Sequence, residues 1–240
     1  MTIARGSGVS VWRQIQQELA DEITRGAIKP GHQLPTEDTL ATRFAVNRHT
    51  LRRAVAALRD AGLVRIEQGR GTFVEEDVVP YVIGRRTRFS ENVASLKRQP
   101  GGRLIRAVER PADAAIASAL KVRRDRPVIT LSILREVDDR PLAFATHHFP
   151  ANRFAGIDAL FRQTKSLTAA LARMGVADYF RRSTRVTTRL PTADEARLLQ
   201  QPANTPVLVT ENINVDNEGT TIDYTIVVYA GQRVELVVDT

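Results

Sequence analysis

A cluster of basic side chains follows a residue that can cap a helix. Asn47 is a good N-cap, and the next two turns carry four basic residues, Arg48, His49, Arg52 and Arg53. Arginine pairs best with O6 and N7 of guanine, and a recognition helix presents its amino-terminal residues to base edges. Thr50 and the helix amino terminus itself can hold a phosphate. The pattern therefore predicts a helix that reads DNA in the major groove.

A second basic group lies at the tip of a predicted hairpin. Residues 63–66 and 72–74 read as two short strands, and the turn between them contains Gly69, Arg70 and Gly71. An arginine at such a tip can enter a narrow minor groove. We therefore add Gly69 and Arg70 to the expected DNA contacts. A solvated helix beside an ordinary turn is the alternative for any one residue, but it does not account for the whole ordered set.

Three helices must position these groups. Ser10 can cap the first helix, whose apolar residues recur every three or four positions, and Gly26 ends it. Thr36 caps the second, and the acidic Glu37 and Asp38 suit the positive end of its helix dipole. The arginines then lie on the exposed face of the third helix, because its inward residues are Leu51, Ala54, Val55 and Leu58.

Composition narrows the class of protein. The net charge of +8 favours a polyanionic partner, although charge alone does not identify nucleic acid. The absence of cysteine excludes disulfides and thiolate metal sites and makes a reducing cytoplasm the expected compartment. No apolar run reaches the ~20 residues that span a bilayer, so we expect no membrane partner. Residues 1–9 lack the organisation of a secretory signal.

Residues 11–74 resemble the winged helix-turn-helix domain of the GntR family of bacterial transcription regulators, which bind operator DNA as homodimers. In that family two arginines of the third helix and the wing glycine contact DNA, and they match Arg48, Arg52 and Gly69. Asp38 stands where some members carry a DNA-contacting arginine, so we do not expect the second helix to read DNA. The resemblance implies a bacterial cytoplasmic protein that is associated with the nucleoid when bound to DNA.

The rest of the chain has a mixed pattern. Residues 76–85 read as a linker between a domain at 1–75 and a second domain at 86–240. Strands are predicted at residues 128–137, 142–149, 207–215 and 221–228. Helices are predicted at residues 112–120, 168–174 and 193–200.

The second domain also contains a weak internal repeat. Pro111 and Pro191 each open a predicted helix. A Pro-Val pair, at Pro127 and again at Pro206, opens the strand that follows each helix. The two copies end on aromatic residues, Phe149 and Tyr229, which recur at nearly the same interval as the Pro-Val pairs. Two helix–hairpin units can pair into one antiparallel sheet with pseudo-twofold symmetry; chance similarity is the alternative.

This second region resembles the UTRA effector-binding domain of the HutC subfamily, whose fold is like that of chorismate lyase. Within the subfamily, residues 86–92 and 229–236 look most like the PhnF-like regulators of phosphonate metabolism. The resemblance implies an α+β chain: a winged helix-turn-helix domain followed by a mixed α/β UTRA domain with an antiparallel sheet.

The same resemblance implies an effector pocket for a small anion, such as a phosphonate, phosphate or phosphorylated metabolite. Two arginines precede Ser90, a possible helix cap, and cations beside free helix amides form an anion site. Ile133 and Ala230 replace arginines found in some relatives, and Arg86 can substitute for them. The expected effector residues are Arg86, Arg88, Phe89, Ser90, Glu91, Arg135, Asp223 and Tyr229.

Catalytic and metal chemistry have no sequence support. His147 and His148 are adjacent on a predicted strand, so their side chains face opposite sides and cannot chelate one metal together. The sequence contains no nucleophile elbow, P-loop or dinucleotide fingerprint. We therefore expect no cofactor, no metal and no enzymatic activity.

These observations favour a ligand-responsive, homodimeric repressor of genes for phosphonate or related small-anion uptake and catabolism. One alternative is a HutC-type repressor that senses a sugar phosphate or a histidine-pathway metabolite. A second is a lyase-like enzyme domain fused to a DNA-binding module, and a third is a constitutive DNA-binding protein whose second domain only dimerises. An effector should raise the melting temperature, which separates the first hypothesis from the third.

Overall fold

The structure is a computed structural model that describes residues 8–76 and 78–238. Contacts divide these residues into a first unit that ends at Glu76 and a second unit that begins at Val78. The prediction that residues 1–9 form no secretory signal concerns a segment that lies mostly outside the described residues.

The first unit is a three-helix domain followed by a hairpin. Its elements are α1 (Val11–Thr24), α2 (Glu37–Phe44), α3 (Arg48–Asp60), β1 (Val64–Glu67) and β2 (Gly71–Val74). The two strands pair antiparallel from Val64 opposite Val74 to Glu67 opposite Gly71. The predicted helix–helix–helix–wing order is confirmed.

Side-chain caps set the starts of α2 and α3. Thr36 Oγ1 accepts a hydrogen bond from the Thr39 amide at 3.3 Å, and Asn47 Oδ1 accepts one from the Thr50 amide at 2.8 Å. Ser10 lies at the N-cap of α1, but its side chain makes no capping hydrogen bond. Two of the three predicted caps therefore act through their side chains.

The core of the first unit joins all three helices. Its buried side chains are Ile15, Leu19, Leu34, Leu40, Phe44, Leu51, Ala54, Val55, Leu58 and Val64. The carboxylate of Glu22 on α1 is buried and paired with Arg43 on α2, with one hydrogen bond of 3.0 Å. The hydrogen bond from Arg43 holds the pKa of Glu22 below its usual range, against the opposing effect of burial. These contacts fix the orientation of α3 and hence the direction in which its arginines point.

The second unit has eight strands and six helices within the described residues. Its strands are β3 (Val79–Ile83), β4 (Pro100–Pro111), β5 (Pro127–Val137), β6 (Arg140–Pro150), β7 (Phe180–Arg189), β8 (Val207–Val215), β9 (Thr221–Ala230) and β10 (Val234–Val238). Its helices are α4 (Phe89–Ser95), α5 (Ala114–Leu120), α6 (Ala151–Phe154), α7 (Ile157–Thr164), α8 (Leu167–Arg173) and α9 (Ala193–Leu198).

Six of these strands form one antiparallel sheet in the order β4-β5-β6-β9-β8-β7. Each half of the sheet has the same succession, an outer strand, a helix and a hairpin, and the halves meet where β6 pairs with β9. Equivalent strands of the two copies therefore lie side by side at the centre, with Thr146 opposite Ile226. The predicted repeat is thus confirmed as a pseudo-twofold sheet.

Helices cover both faces of the sheet. On one face, β5 packs against α6, α7 and α8 through Leu131, Phe154, Phe161 and Leu171. On the other face, buried residues of α5 and the segment just after α9 pack against β5, β8 and β9. The sheet thus forms the middle layer of the unit, and its central strands are largely buried on both sides.

The predicted linker at residues 76–85 is wrong for residues 79–83, which is half of its length. Val79–Ile83 is strand β3, which pairs in parallel with β10 from Val79 opposite Val234 to Ile83 opposite Val238. Its buried residues alternate with exposed ones, and Val79, Tyr81 and Ile83 face the core. The second unit therefore begins at Val78 within the described residues, not at residue 86.

A second correction concerns Pro111. It ends strand β4 instead of opening a helix, and Asp113 caps α5 by accepting a hydrogen bond from the Ile116 amide at 2.9 Å. The edge strands β4 and β7 were not predicted, since their outward residues are mostly arginine and threonine and many of them are exposed.

Candidate DNA-binding face and ligand pocket

The exposed face of α3 carries the predicted DNA-reading residues. Arg48, His49, Arg52 and Arg53 are exposed, while the residues between them are buried or half-buried. The amide of Thr50 already donates to Asn47, so Thr50 can offer its hydroxyl but not its amide to a phosphate. The α3 residues therefore lie together on one face of the first unit, as predicted.

The reading arginines have acidic partners that the sequence interpretation missed. Arg48 Nε lies 2.7 Å from Asp38 Oδ1, and Arg52 Nε lies 2.8 Å from Glu37 Oε2. Both ion pairs are exposed, and exposed ion pairs contribute only about 0–1 kcal/mol to the stability of a folded protein. Arg53 instead lies over the ring of Trp12, with 4.6 Å between its guanidinium carbon and the ring centre. Asp38 and Glu37 therefore orient the two guanidinium groups, and breaking these ion pairs requires little free energy.

Replacing Asp38 by asparagine should tighten DNA binding by up to about fivefold, because it frees Arg48 from an exposed ion pair and removes a negative charge beside it. The gain should be largest at low salt and should shrink as salt screens the charges. Fluorescence anisotropy with a labelled duplex measures it directly. Asp60→Asn is the matched control, since it also removes an exposed ion pair, with Arg59, at the far end of the same helix. An equal gain in affinity in both variants, or no gain in Asp38→Asn, contradicts the prediction that Arg48 contacts DNA.

The wing, the hairpin of β1 and β2, ends in a tight turn that is held by hydrogen bonds to neighbouring side chains. Gly69 has a φ of +74°, a conformation that favours glycine. Gln33 Nε2 donates to the carbonyl of Arg70 at 2.6 Å, and the Arg70 side chain pairs with Glu67. Arg70 is exposed at the tip, as predicted, and its carboxylate partner lies on the same hairpin.

A cleft that is partly open to solvent lies against one face of the second unit's sheet. Six of the eight predicted effector residues line it: Arg88, Phe89, Ser90, Arg135, Asp223 and Tyr229. Arg86 and Glu91 do not line it. Arg86 is exposed and pairs with Asp178, and Glu91 is also exposed, 3.6 Å from Arg88.

The predicted anion clamp around Ser90 differs in its details. Arg88, not Ser90, is the N-cap of α4, so Ser90 lies inside the first turn. Arg88 is buried and already paired, since its Nη2 lies 2.6 Å from Asp178 Oδ1 and its guanidinium stacks 4.3 Å from the Tyr179 ring centre. The positive charge of Arg88 is therefore compensated within the protein.

Among the described residues, two cations of the cleft form no ion pair: Arg135 and the half-buried Arg181, whose hydrogen bonds go to neutral side chains. Arg135 is buried on β5, its guanidinium carbon lies 5.2 Å from the centre of the Phe89 ring, and within residues 8–76 and 78–238 it forms no ion pair. Burial lowers the pKa of Arg135, although an arginine remains protonated at neutral pH. The carboxylate of Asp223 stabilises the buried charge of Arg135 from a distance but forms no ion pair with it, so a bound anion in contact with the guanidinium would stabilise this site further.

A buried polar network lies beside Arg135. His147 Nδ1 lies 2.8 Å from Asp223 Oδ2, and Asn214 Nδ2 donates to Asp223 Oδ1 at 2.6 Å. Burial opposes ionisation of Asp223, but the hydrogen bonds from His147, Thr225 and Asn214 hold its pKa below the usual range. Asp223 is therefore a carboxylate, and it orients the imidazole of His147.

Sequence reasoning missed several lining residues, among them Tyr81, His147, Tyr179, Arg181 and Asn214. Arg181 on β7 donates to Asn212 Oδ1 at 2.7 Å and to Asn214 Oδ1 at 3.0 Å. The repeat contained a usable signal. Asn214 follows the second Pro-Val pair at the same spacing at which Arg135 follows the first, so the two residues are equivalent in the two halves of the sheet.

His148 faces away from the cleft, as the alternation of a strand predicts. Its Nδ1 lies 3.0 Å from Thr130 Oγ1, and its ring stacks on Tyr224. In the part of the chain that the structure describes, no group of three or more His, Cys, Asp or Glu side chains can hold a metal ion. None of the described helices is long and apolar enough to cross a membrane.

Acidification should destabilise the second unit through His148. Burial lowers the pKa of His148 from 6.5 to about 4, so the unfolded chain binds a proton that the folded chain excludes. The free energy of unfolding therefore has its full value above pH 6.5 and decreases as the pH falls towards 4, with a slope of up to about 1.4 kcal/mol per pH unit. Burial also lowers the pKa of His147, which adds to the slope. Urea unfolding between these pH values, followed by tyrosine circular dichroism, measures it, because all four tyrosines lie in this unit.

His148→Phe should reduce that slope, whatever its effect on absolute stability. The phenyl ring keeps the packing against Tyr224, and the unpaired Thr130 hydroxyl costs the same free energy at every pH. An unchanged slope in this variant would show that other groups set the pH dependence.

A winged helix-turn-helix unit with exposed arginines, joined to a separate unit with a polar cleft, defines a ligand-responsive DNA-binding regulator. Residues 12–74 match the gntR family of bacterial regulatory proteins, and residues 95–235 match the UTRA domain. The chain belongs to the GntR family, in its HutC-type branch with a UTRA domain.

Relatives cover nearly the whole chain. An uncharacterised HTH-type transcriptional regulator of Rhizobium meliloti is 40% identical over 99% of this chain and 98% of its own length. The "Probable transcriptional regulator PhnF" of Escherichia coli is 30% identical over 95% of this chain and 94% of its own. The crystal structure of PhnF from Mycobacterium smegmatis has a TM-score of 0.62 and 26% identity, covering 94% of this chain and 98% of that chain. These relatives are transcription regulators, which confirms that the chain is a regulator and not an enzyme.

Proposed function

We propose that the protein is a homodimeric repressor whose second unit binds a small anion, a phosphonate, phosphate or phosphorylated metabolite, and thereby controls genes for uptake and catabolism of such compounds. It acts in the bacterial cytoplasm, on the nucleoid. The buried guanidinium of Arg135 in the cleft, which forms no ion pair within the described residues, is the observation that carries the proposal. Similarity to two proteins named PhnF supports the link to phosphorus compounds.

The DNA contacts proposed are Arg48, His49, Thr50, Arg52, Arg53, Gly69 and Arg70. Two copies of α3 would read half-sites one helical turn, or a multiple of it, apart. Binding of the anion would favour an arrangement of the two copies in which the α3 helices no longer match this spacing. The dimer would then release the operator.

Operator release tests the proposal. The full chain is first used to select its preferred site from random duplex DNA, and anisotropy then follows that site as ligands are added. Ethylphosphonate or phosphate should weaken operator binding at least tenfold and raise the melting temperature of the second unit through linkage. Glucosamine 6-phosphate, histidine and urocanate are the competing ligands. Release by glucosamine 6-phosphate alone would narrow the ligand to a sugar phosphate and exclude phosphonate and phosphate. Release by histidine or urocanate alone would favour a histidine-pathway effector, and release by none of the ligands would overturn ligand control by a small anion.

A further inference from the structure

His147, a residue that lines the cleft, has one ring nitrogen without a hydrogen-bond partner among the described residues. Only 7% of the residue is exposed, and it lines the cleft from β6. Its Nε2 atom is buried and has no hydrogen-bond partner within the described residues, whereas Nδ1 lies 2.8 Å from Asp223 Oδ2 and 2.9 Å from Thr225 Oγ1. A buried polar atom without a partner in a ligand cleft indicates that the ligand supplies the partner.

The network around Asp223 determines which hydrogen-bonding role this atom has. Asp223 is ionised and can only accept, so Nδ1 of His147 carries the hydrogen that it donates to Oδ2. The second ring nitrogen of a neutral imidazole is then an acceptor. Burial, with Arg135 and Arg181 nearby, lowers the pKa of His147 and keeps the ring neutral against the opposing effect of Asp223. Nε2 therefore requires a donor.

Arg135 and His147 favour different chemical groups on one ligand. Both line the same cleft, Arg135 from β5 and His147 from the neighbouring strand β6. The guanidinium favours an anionic oxygen, while the lone pair of Nε2 repels one. We infer that the ligand is a small anion that carries a separate hydroxyl or N–H group, and that His147 Nε2 accepts a hydrogen bond from this group. The inference rests on the proposed function for the anion and extends it by naming a second recognition element.

Pairs of anions that differ only in a hydroxyl and a methyl group test the inference. The pairs are hydroxyethylphosphonate with propylphosphonate, hydroxyethanesulfonate with propanesulfonate, and hydroxypropanoate with butanoate. Binding to the full chain is measured by calorimetry, above the second ionisation of the phosphonates so that the phosphonate group itself offers no hydrogen. In at least one pair the hydroxylated member should bind about tenfold more tightly.

Two substitutions of His147 separate its two nitrogens. His147→Asn keeps an N–H close to the position of Nδ1 for Asp223 and removes the acceptor, so the hydroxyl preference should disappear. His147→Gln places an amide oxygen close to the position of Nε2, so part of the preference should return. His148→Asn is the matched control, because His148 lies on the other face of the sheet and should leave the preference unchanged. Tyrosine circular dichroism verifies that each variant is folded.

The outcomes distinguish this inference from the proposed function. Binding of both phosphonates with release of DNA but no hydroxyl preference, or a preference that survives in His147→Asn, overturns the inference alone. A hydroxyl preference confined to the sulfonates or carboxylates supports the inference and contradicts the phosphorus assignment. Binding of no pair overturns both.

Discussion

Arg48→Ala is expected to weaken operator binding by about 10- to 100-fold and to reduce discrimination between the operator and a scrambled duplex. Arg48 lies in the first turn of α3, its side chain is 64% exposed, and its exposed pair with Asp38 is easily exchanged for DNA. A bidentate arginine–guanine contact accounts for about 1–3 kcal/mol of base discrimination, which corresponds to this loss. Arg52→Ala should behave in the same way, since Arg52 lies one turn further along the same face.

Anisotropy at one fixed salt concentration, with operator and scrambled duplexes, measures both affinity and selectivity. Arg59→Ala is the matched control, because Arg59 lies in the last turn of α3 and pairs with Asp60. Trp12, the only tryptophan of the chain, reports the folding of the first unit by its fluorescence. A uniform loss of affinity without loss of selectivity would make Arg48 a phosphate contact, and unchanged binding would remove α3 as the reading helix.

Arg135→Met should have two opposite effects on the second unit. In the absence of ligand the melting temperature should rise, because an apolar side chain of similar length replaces a buried cation without an ion pair and removes the free-energy cost of desolvating that cation. In the presence of the ligand the further rise seen in the native protein should vanish, since the anion loses its principal charge partner.

Thermal unfolding followed by tyrosine circular dichroism, with and without ethylphosphonate or phosphate, tests both effects in one experiment. Arg103→Met is the control, because Arg103 is an exposed arginine of the same sheet and lies 3.4 Å from Glu136. A lower melting temperature for Arg135→Met without ligand would show that Arg135 is compensated within the protein. A ligand response equal to that of the native protein would exclude Arg135 from the binding site.

The sequence predicts those parts of the fold that depend on local signals. Thr36 and Asn47 mark helix starts because the capping hydrogen bond is made within the first turn of the helix. The central strands β5, β6, β8 and β9 were found because they are rich in β-branched and aromatic residues. Strand β3 was missed because its partner, β10, lies at the opposite end of the second unit's sequence, and no local pattern indicates parallel pairing at that distance.

The site could be predicted only in part for the same reason. Arg135, Asp223 and Tyr229 follow from family resemblance, and the structure brings them into one cleft. His147 depends on the register between β6 and β9, which places it opposite Thr225 and within reach of Asp223. The pairs of Arg48 with Asp38 and Arg52 with Glu37 depend on the angle between two helices. Neither register nor helix angle is encoded by residue spacing within one element.

The pairing of β3 with β10 also sets an order of assembly during synthesis. Tyr81 lies on β3 and lines the cleft, yet the pairing of β3 with β10 cannot form until Val234 and its neighbours have been made. The first unit draws its helices, wing and core from residues 11–74 alone. Domains fold as units while the chain emerges. A ribosome-bound chain can therefore complete its DNA-reading surface well before it acquires the wall of its ligand cleft, so the ability to bind DNA is in place before the means to regulate it.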